Sequence, residues 1–275
     1  MESALAESLA AEIAAFVATS PLNRLPVDGG PMFEAPLVGF AAGDDPLFGR
    51  YKEIIGPFHW TPREALGARG DENVSVVSYI LPISRATRRS NRGPSEPSRA
   101  WSHTRHHGEA FNDAVRRHIV AYLHRLGYRA VAPAIRADFA WRETPGGPAS
   151  PWSERHVAYA AGLGTFGLCD GLITARGKAM RCGSVVTTAP LPPSPRPYDH
   201  YRAYCLSHPN GGCGRCAARC PGGAITREGG HDRRKCQAYQ RTFAERLKAE
   251  YQVDVVGCGL CQVGVPCEGR IPRRN

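Results

Sequence analysis

Apolar residues recur at helical spacing in two long stretches of the chain. In residues 1–19, Leu5, Leu9, Ile13, Phe16 and Val17 fall on one face, which predicts an amphipathic helix. Between about Thr104 and Leu126, the series Phe111, Val115, Ile119, Val120, Leu123 and Leu126 predicts a second helix. Gly127 stands where a C-terminal cap belongs. "NVSVVSYILP" (73–82) is a short β-branched run ended by proline and predicts a buried strand. "YRAVAPAI" (128–135) predicts another. A helix from about Trp152 to Ala161 starts at Pro151. Extended runs follow at 171–174 and 182–188, with "ARGK" (175–178) as a hairpin connection. Residues 20–72 are rich in proline and glycine and give no clear element. "SRATRRSNRGPSEPSR" (84–99) reads as a polar loop, and the proline-rich 189–198 as a linker. Helices alternate with strands, so the expectation is an α+β core in residues 1–195, followed by a small separate domain at 196–275.

Composition narrows the class. With 275 residues, the chain can bury one sizeable core plus a small second unit. No apolar run approaches the ~20 residues of a membrane span. The N-terminal helix carries Glu2, Glu7 and Glu12 and has no basic n-region, so it does not read as a signal peptide. These features predict a cytoplasmic protein without membrane contact. The net charge of +10 comes from scattered basic residues with no long basic helix. It fits solubility beside an anionic cofactor, or, more sharply, a nucleic-acid partner.

The ten cysteines change the picture most. Eight fall after residue 204, and neither chain length nor compartment suggests a disulfide scaffold. The first half reads Cys205-x7-Cys213-x2-Cys216-x3-Cys220-Pro221, and the second Cys236-x21-Cys258-x2-Cys261-x5-Cys267. Two-cluster ferredoxins use C-x2-C-x2-C-x3-C-P, in which the fourth cysteine ligates the other cluster. Two thiolates three residues apart reach one cubane, and the intervening amides point at its sulfides. Zinc also accepts C-x2-C, but a zinc knuckle has no need of the x3-C-P continuation. The crossed arrangement assigns Cys205, Cys213, Cys216 and Cys267 to one [4Fe–4S] cluster. It assigns Cys220, Cys236, Cys258 and Cys261 to the other. Cys169 and Cys182 lack partners at ligand spacing and read as buried structural thiols.

"GLGTFG" (162–167) fits G-x-G-x-x-G in form only. A helix precedes it and extended chain follows, the reverse of a dinucleotide site. It reads as a tight helix-to-strand turn, or as backbone brought close to a flat ligand or cluster. Glu154, Arg155, His156 and Tyr159 on the preceding helix are the candidate catalytic residues, although Glu154 also suits a helix N-terminus. "HTRHH" (103–107) reads as a solvated helix start rather than a metal site. Asp138 and Glu143 are acids that no spacing argument favours as proton donors.

"SERHVAYAAGLGTFGLCDGLITARGKAMRCGSVVTTAPLPP" (153–193), "KCQAY" (235–239) and "GCGLCQ" (257–262) resemble the epoxyqueuosine reductases, relatives of reductive dehalogenases. The resemblance covers roughly residues 70–270. It implies a nitroreductase-like α+β domain holding base-off cobalamin, followed by a ferredoxin-like domain with two [4Fe–4S] clusters. It places Gly162, Gly164, Thr165, Phe166, Gly167 and Leu168 against the corrin. A donor such as ferredoxin or flavodoxin would supply electrons through the clusters to cobalt, and the reduced cobalt would act on the substrate. The chain departs from the family in three ways. No carboxylate stands near Pro148, where the family keeps its proton-donating aspartate. Five residues rather than three precede Cys267. The helical-repeat tRNA-binding extension of many relatives does not follow. These departures lean the expectation towards a small-molecule substrate over a modified tRNA base. A cobalamin-processing or trafficking protein and a ferredoxin-type carrier are the alternatives.

Overall fold

The computed structural model describes residues 2–93, 95–209 and 211–274. Its N-terminal helix α1 (Glu2–Thr19) buries Leu9, Ile13 and Val17, as the spacing predicts. The stretch at 20–72, opaque in sequence, holds strand β1 (Leu37–Ala42) and helices α2 (Pro46–Ile54) and α3 (Pro62–Leu66). Both helices carry a local start signal. Asp45 accepts from Leu47 N ahead of α2, and Thr61 with Glu64 forms a capping box at α3.

Strand β2 (Ser75–Pro82) is buried along its whole length. Val77, Tyr79 and Leu81 face α1 and the long helix on one side, while Val76 packs with Phe48 and Trp152 on the other. A strand covered on both faces has no polar alternation, which is why it reads as a continuous apolar run. Helix α4 (Arg85–Ser90) occupies part of the predicted loop, capped by Ser84. The long helix α5 (Arg99–Arg125) begins at its Ser98 cap, about five residues earlier than its apolar series suggests. "HTRHH" is therefore not a solvated helix start. His103 lies inside the helix and is 6% exposed.

The predicted 128–135 strand shortens to β3 (Ala130–Val131) and a 3-10 turn at Pro133–Ile135. Helix α6 (Glu154–Ala160) leads into β4 (Gly164–Phe166), which pairs antiparallel with β5 (Leu172–Thr174). Strand β6 (Met180–Thr187) joins the main antiparallel sheet, of order β1-β2-β6-β3. The turn at 175–178 thus connects two different sheets instead of closing a hairpin. The 189–198 segment is no free linker either. It lies along β1, where Phe40 N donates to Ser194 Oγ and Ser194 N to the Phe40 carbonyl, both at 2.9 Å.

Beyond residue 200 the regular elements are short: α7 (Arg215–Ala218), β7 (Ile225–Thr226), β8 (Gly230–His231), α8 (Arg233–Arg241) and α9 (Ala244–Tyr251). The core here is made largely of sulfur. Cys205 and Cys216 pack with Leu168, Cys169, Ile173, Ile225 and Val265, and Cys220, Cys261 and Cys267 lie against them. The fold is a helix-flanked antiparallel sheet joined to a cysteine-rich region, in agreement with the α+β expectation. Among the described residues no helix is long and apolar enough to cross a membrane.

Candidate functional site: two thiol-lined cavities beside a basic, aromatic cleft

All ten cysteines are free thiols. Cys205, Cys213, Cys216 and Cys267 line one cavity, together with Gly167, Leu168, Ile173 and Lys178. Cys220, Cys236, Cys258 and Cys261 line a second, joined by Cys169, Arg155 and His231. Each cavity holds one of the two groups of four that the crossed spacing assigns. Among the described residues, no three His, Cys, Asp or Glu side chains converge on a single point. The donor set suits a polynuclear cluster, whose irons each need one thiolate at a separate corner.

The surrounding backbone is arranged to support bound sulfur. Ala224 N donates to Cys220 Sγ at 3.3 Å, and Gln240 Nε2 to Cys236 Sγ at 3.4 Å. Such donors offset thiolate charge and raise cluster potentials. Burial pushes the Cys258 thiol up to about 11 and also raises Cys267. Metal binding would therefore have to displace thiol protons, which makes it pH-dependent.

Cys169 is not the isolated thiol its spacing suggests. Its Sγ lies within hydrogen-bonding reach of both Cys216 and Cys261, one from each group of four. Lys178 Nζ donates to the same sulfur at 3.2 Å. Cys182, by contrast, lies on β6 away from both groups, and burial pushes its thiol up to about 12.

Next to the second thiol cavity lies a cleft of about 940 Å³. Arg155, His156, Tyr159 and Phe166 line it, as do Tyr51, Asp170, Arg202 and Arg233. Arg155 and His231 line both the cleft and the second thiol cavity. Arg155 Nη1 donates to the Asp170 carbonyl at 2.6 Å, and His231 Nδ1 meets Asp170 Oδ2 at 3.3 Å. Bonds to Asp170 and then Cys236 raise His231 to about 9. Asp170 and His231 carry no motif, and no sequence signal marks them.

His156 is half-buried in the cleft wall, and desolvation lowers it to about 3, with Arg155 adding to the effect. It is neutral at physiological pH. Its Nδ1 meets Ser153 Oγ at 2.7 Å, and Tyr51 OH donates to its carbonyl at 2.8 Å. Burial raises the Tyr159 phenol above its ordinary value, so it keeps its proton. Asp138 pairs with Arg136 at 2.6 Å away from the cleft.

Glu154 does not reach the cleft. Its carboxylate points back under α6, where it accepts from Arg116 at 3.0 Å and from Ser184 Oγ at 2.5 Å. Burial raises the Glu154 carboxyl even with the guanidinium beside it. The glycine loop is likewise held by protein. A Cβ on Gly162, at φ +77°, would overlap the Pro195 carbonyl, and one on Gly164 the Ile173 carbonyl. Thr165 is buried and accepts from Tyr204 N at 2.9 Å. The loop still spans the two kinds of site, because Phe166 lines the cleft while Gly167 and Leu168 line the first thiol cavity.

Comparison with known proteins bears on the cysteine-rich region and on the fold. Residues 210–266 match the family described as "4Fe-4S double cluster binding domain". Epoxyqueuosine reductase from Bacillus cereus is 32% identical over 119 residues, covering 42% of this chain and 29% of that protein. The Bacillus anthracis protein of the same name gives 31% over the same length. Among solved structures, epoxyqueuosine reductase from Bacillus subtilis superposes with a TM-score of 0.51 at 18% identity. That alignment covers 98% of this chain and 68% of the other. The chain is thus similar to epoxyqueuosine reductases over part of its length. A further structure, of epoxyqueuosine reductase with an epoxyqueuosine-modified tRNA-Tyr stem loop, gives 0.52 at 19% identity over 96% and 66% of the two chains. The curated match spans less than a third of those relatives' length.

Proposed function

We propose that the chain is an iron–sulfur oxidoreductase that delivers single electrons to a substrate held in the basic, aromatic cleft. The observation that carries this reading is the shared wall. Arg155 and His231 separate the second group of four thiols from the cleft, so the two sites are neighbours. In this reading Cys205, Cys213, Cys216 and Cys267 hold one [4Fe–4S] cluster. Cys220, Cys236, Cys258 and Cys261 hold the other. The clusters supply low-potential one-electron storage, and a ferredoxin or flavodoxin is the donor.

The residues around the cleft fit a corrin. Tyr51, Trp141, Phe166 and Tyr201 offer flat apolar rings, and Arg50, Arg202 and Arg233 offer donors to amide and phosphate groups. When bound, base-off cobalamin supplies a strongly reducing, nucleophilic metal centre. The chain's own part is positioning and proton control. Asp170 anchors Arg155 and His231 in the dividing wall. Neutral His156, tied to Ser153, orients neighbouring groups. Tyr159 keeps a proton available in the cleft wall.

For the substrate, the cleft favours a modified tRNA base over a small molecule. Trp141 and Tyr201 stand 68% and 49% exposed beside the cleft arginines, a combination suited to stacking bases and pairing phosphates. The test is anaerobic reconstitution with iron, sulfide and cobalamin, followed by turnover of an epoxyqueuosine-containing anticodon stem loop. Conversion to queuosine is the expected result. Full cluster and cobalamin loading without turnover would refute the tRNA reading. Cluster loading without cobalamin binding would reduce the chain to an electron carrier.

A further inference from the structure

Lys178 closes the turn at 175–178 and is 3% exposed. A buried ammonium is costly unless an anion compensates it. Among the described residues no carboxylate lies within 4.0 Å of its Nζ, because none of the ion pairs involves it. The group it meets is Cys169 Sγ, at 3.2 Å. Cys169 packs in one cluster with Cys216 and Cys261, one from each group of four. The backbone fixes the arrangement, since Lys178 N donates to the Cys267 carbonyl at 3.0 Å. Lys178 lines the first thiol cavity, and Cys169 lines the second. The positive charge therefore sits between the two cavities, with sulfur as its only close partner among the described residues.

We propose that Lys178, through its hydrogen bond to Cys169, is the internal counter-cation of the cluster pair and holds both reduction potentials up. Each cluster with four thiolates carries net negative charge, and reduction adds one more. A cation fixed between them stabilises the reduced forms most, in a low-dielectric core that water does not screen. Lys178 is a positioning residue in this role. It stays clear of the cleft and acts on the substrate only through the clusters. The inference rests on the proposed cluster assignment.

The test is a redox titration of the anaerobically purified holoprotein, followed by electron paramagnetic resonance, with iron content measured in parallel. Lys178→Met keeps the length of the side chain and removes its charge. The expected result is unchanged iron and at least a tenfold fall in the equilibrium constant for reduction, 59 mV for one electron. The nearer cluster should move more. Lys178→Arg keeps the charge and should stay within threefold of the wild type. Unchanged potentials in an iron-replete Lys178→Met protein would overturn the proposal. If that variant loses iron while Lys178→Arg keeps it, the charge is needed to hold the clusters and the proposal stands. Loss of iron from both would make Lys178 a packing residue and overturn it. A wild-type protein without iron would instead remove the cluster reading itself, a separate outcome.

Discussion

Replacing Arg116 by methionine separates two roles for Glu154, the catalytic one suggested by its place on α6 and the structural one shown by its contacts. The Arg116 side chain is 3% exposed and pairs with Glu109 at 3.0 Å, Asp113 at 2.6 Å and Glu154 at 3.0 Å. Glu109 and Asp113 are 43% and 27% exposed, so water takes over their solvation when the guanidinium goes. Glu154 is 16% exposed and keeps only Ser184. Breaking a buried pair from one side costs about 3–5 kcal/mol. Protonating the stranded carboxyl caps the loss near the low end, because moving a group from about 4.5 to pH 7 costs roughly 3 kcal/mol. At about 2–4 °C per kcal/mol for a chain of this size, the melting temperature should fall by about 6–12 °C. Glu154→Gln keeps the shape and removes the charge, so the double variant should be about 1–3 kcal/mol more stable than the two single losses predict. The assay is thermal unfolding of the anaerobic holoprotein, with turnover measured beside it. Strict additivity would refute the pairing. A Glu154→Gln protein with normal melting and iron content but no turnover would return Glu154 to the chemistry.

The remaining predictions concern sulfur and acid. Cys216→Ala should lose about half the iron and loosen the whole C-terminal region, because cluster binding and folding are coupled; unchanged iron would count against the ligand assignment. Cys169→Ser should retain full iron, since all eight proposed ligands remain. His59 is 0% exposed, its Nε2 accepts from Ser153 N at 3.1 Å, and burial lowers it to about 4. An unfolded histidine titrates near 6.5, so the folded state resists a proton that the unfolded chain takes up. Stability should be intact above pH 6.5 and fall by roughly 3 kcal/mol as the pH drops to about 4. In His59→Asn that acid-limb difference should vanish when melting temperature is followed against pH, and an identical slope would refute the account.

The parts legible in the sequence were those whose signals are local. Cysteine spacing grouped eight thiols into the two sets of four that line the two cavities. The α1 and α5 series were legible because one helix face meets one core. Strand β2 could be read as buried but not oriented, since both of its faces are covered and no alternation survives. The elements between residues 20 and 72 were hidden because α2 and α3 span nine and five residues, too short to display a period. Their caps at Asp45 and Thr61 were the available signal. Glu154 was misplaced because a carboxylate in the first turn of a helix suits the dipole wherever it points. Lys178 gave no sign at all. A lysine after "ARG" looks solvated, and only the return of the chain at Cys267 and Glu268 buries it.

The sulfur-rich core also bears on how this molecule can be handled and inherited. Leu168 and Ile173, on or beside the β4–β5 hairpin, fill the same apolar cluster as Cys205 and Cys216, and the 189–198 strap is sewn to β1 on the way there. The last third is thus no detachable cassette. Cut out for study, it would leave behind Leu168, Cys169 and Ile173, three of the seven buried residues of that cluster.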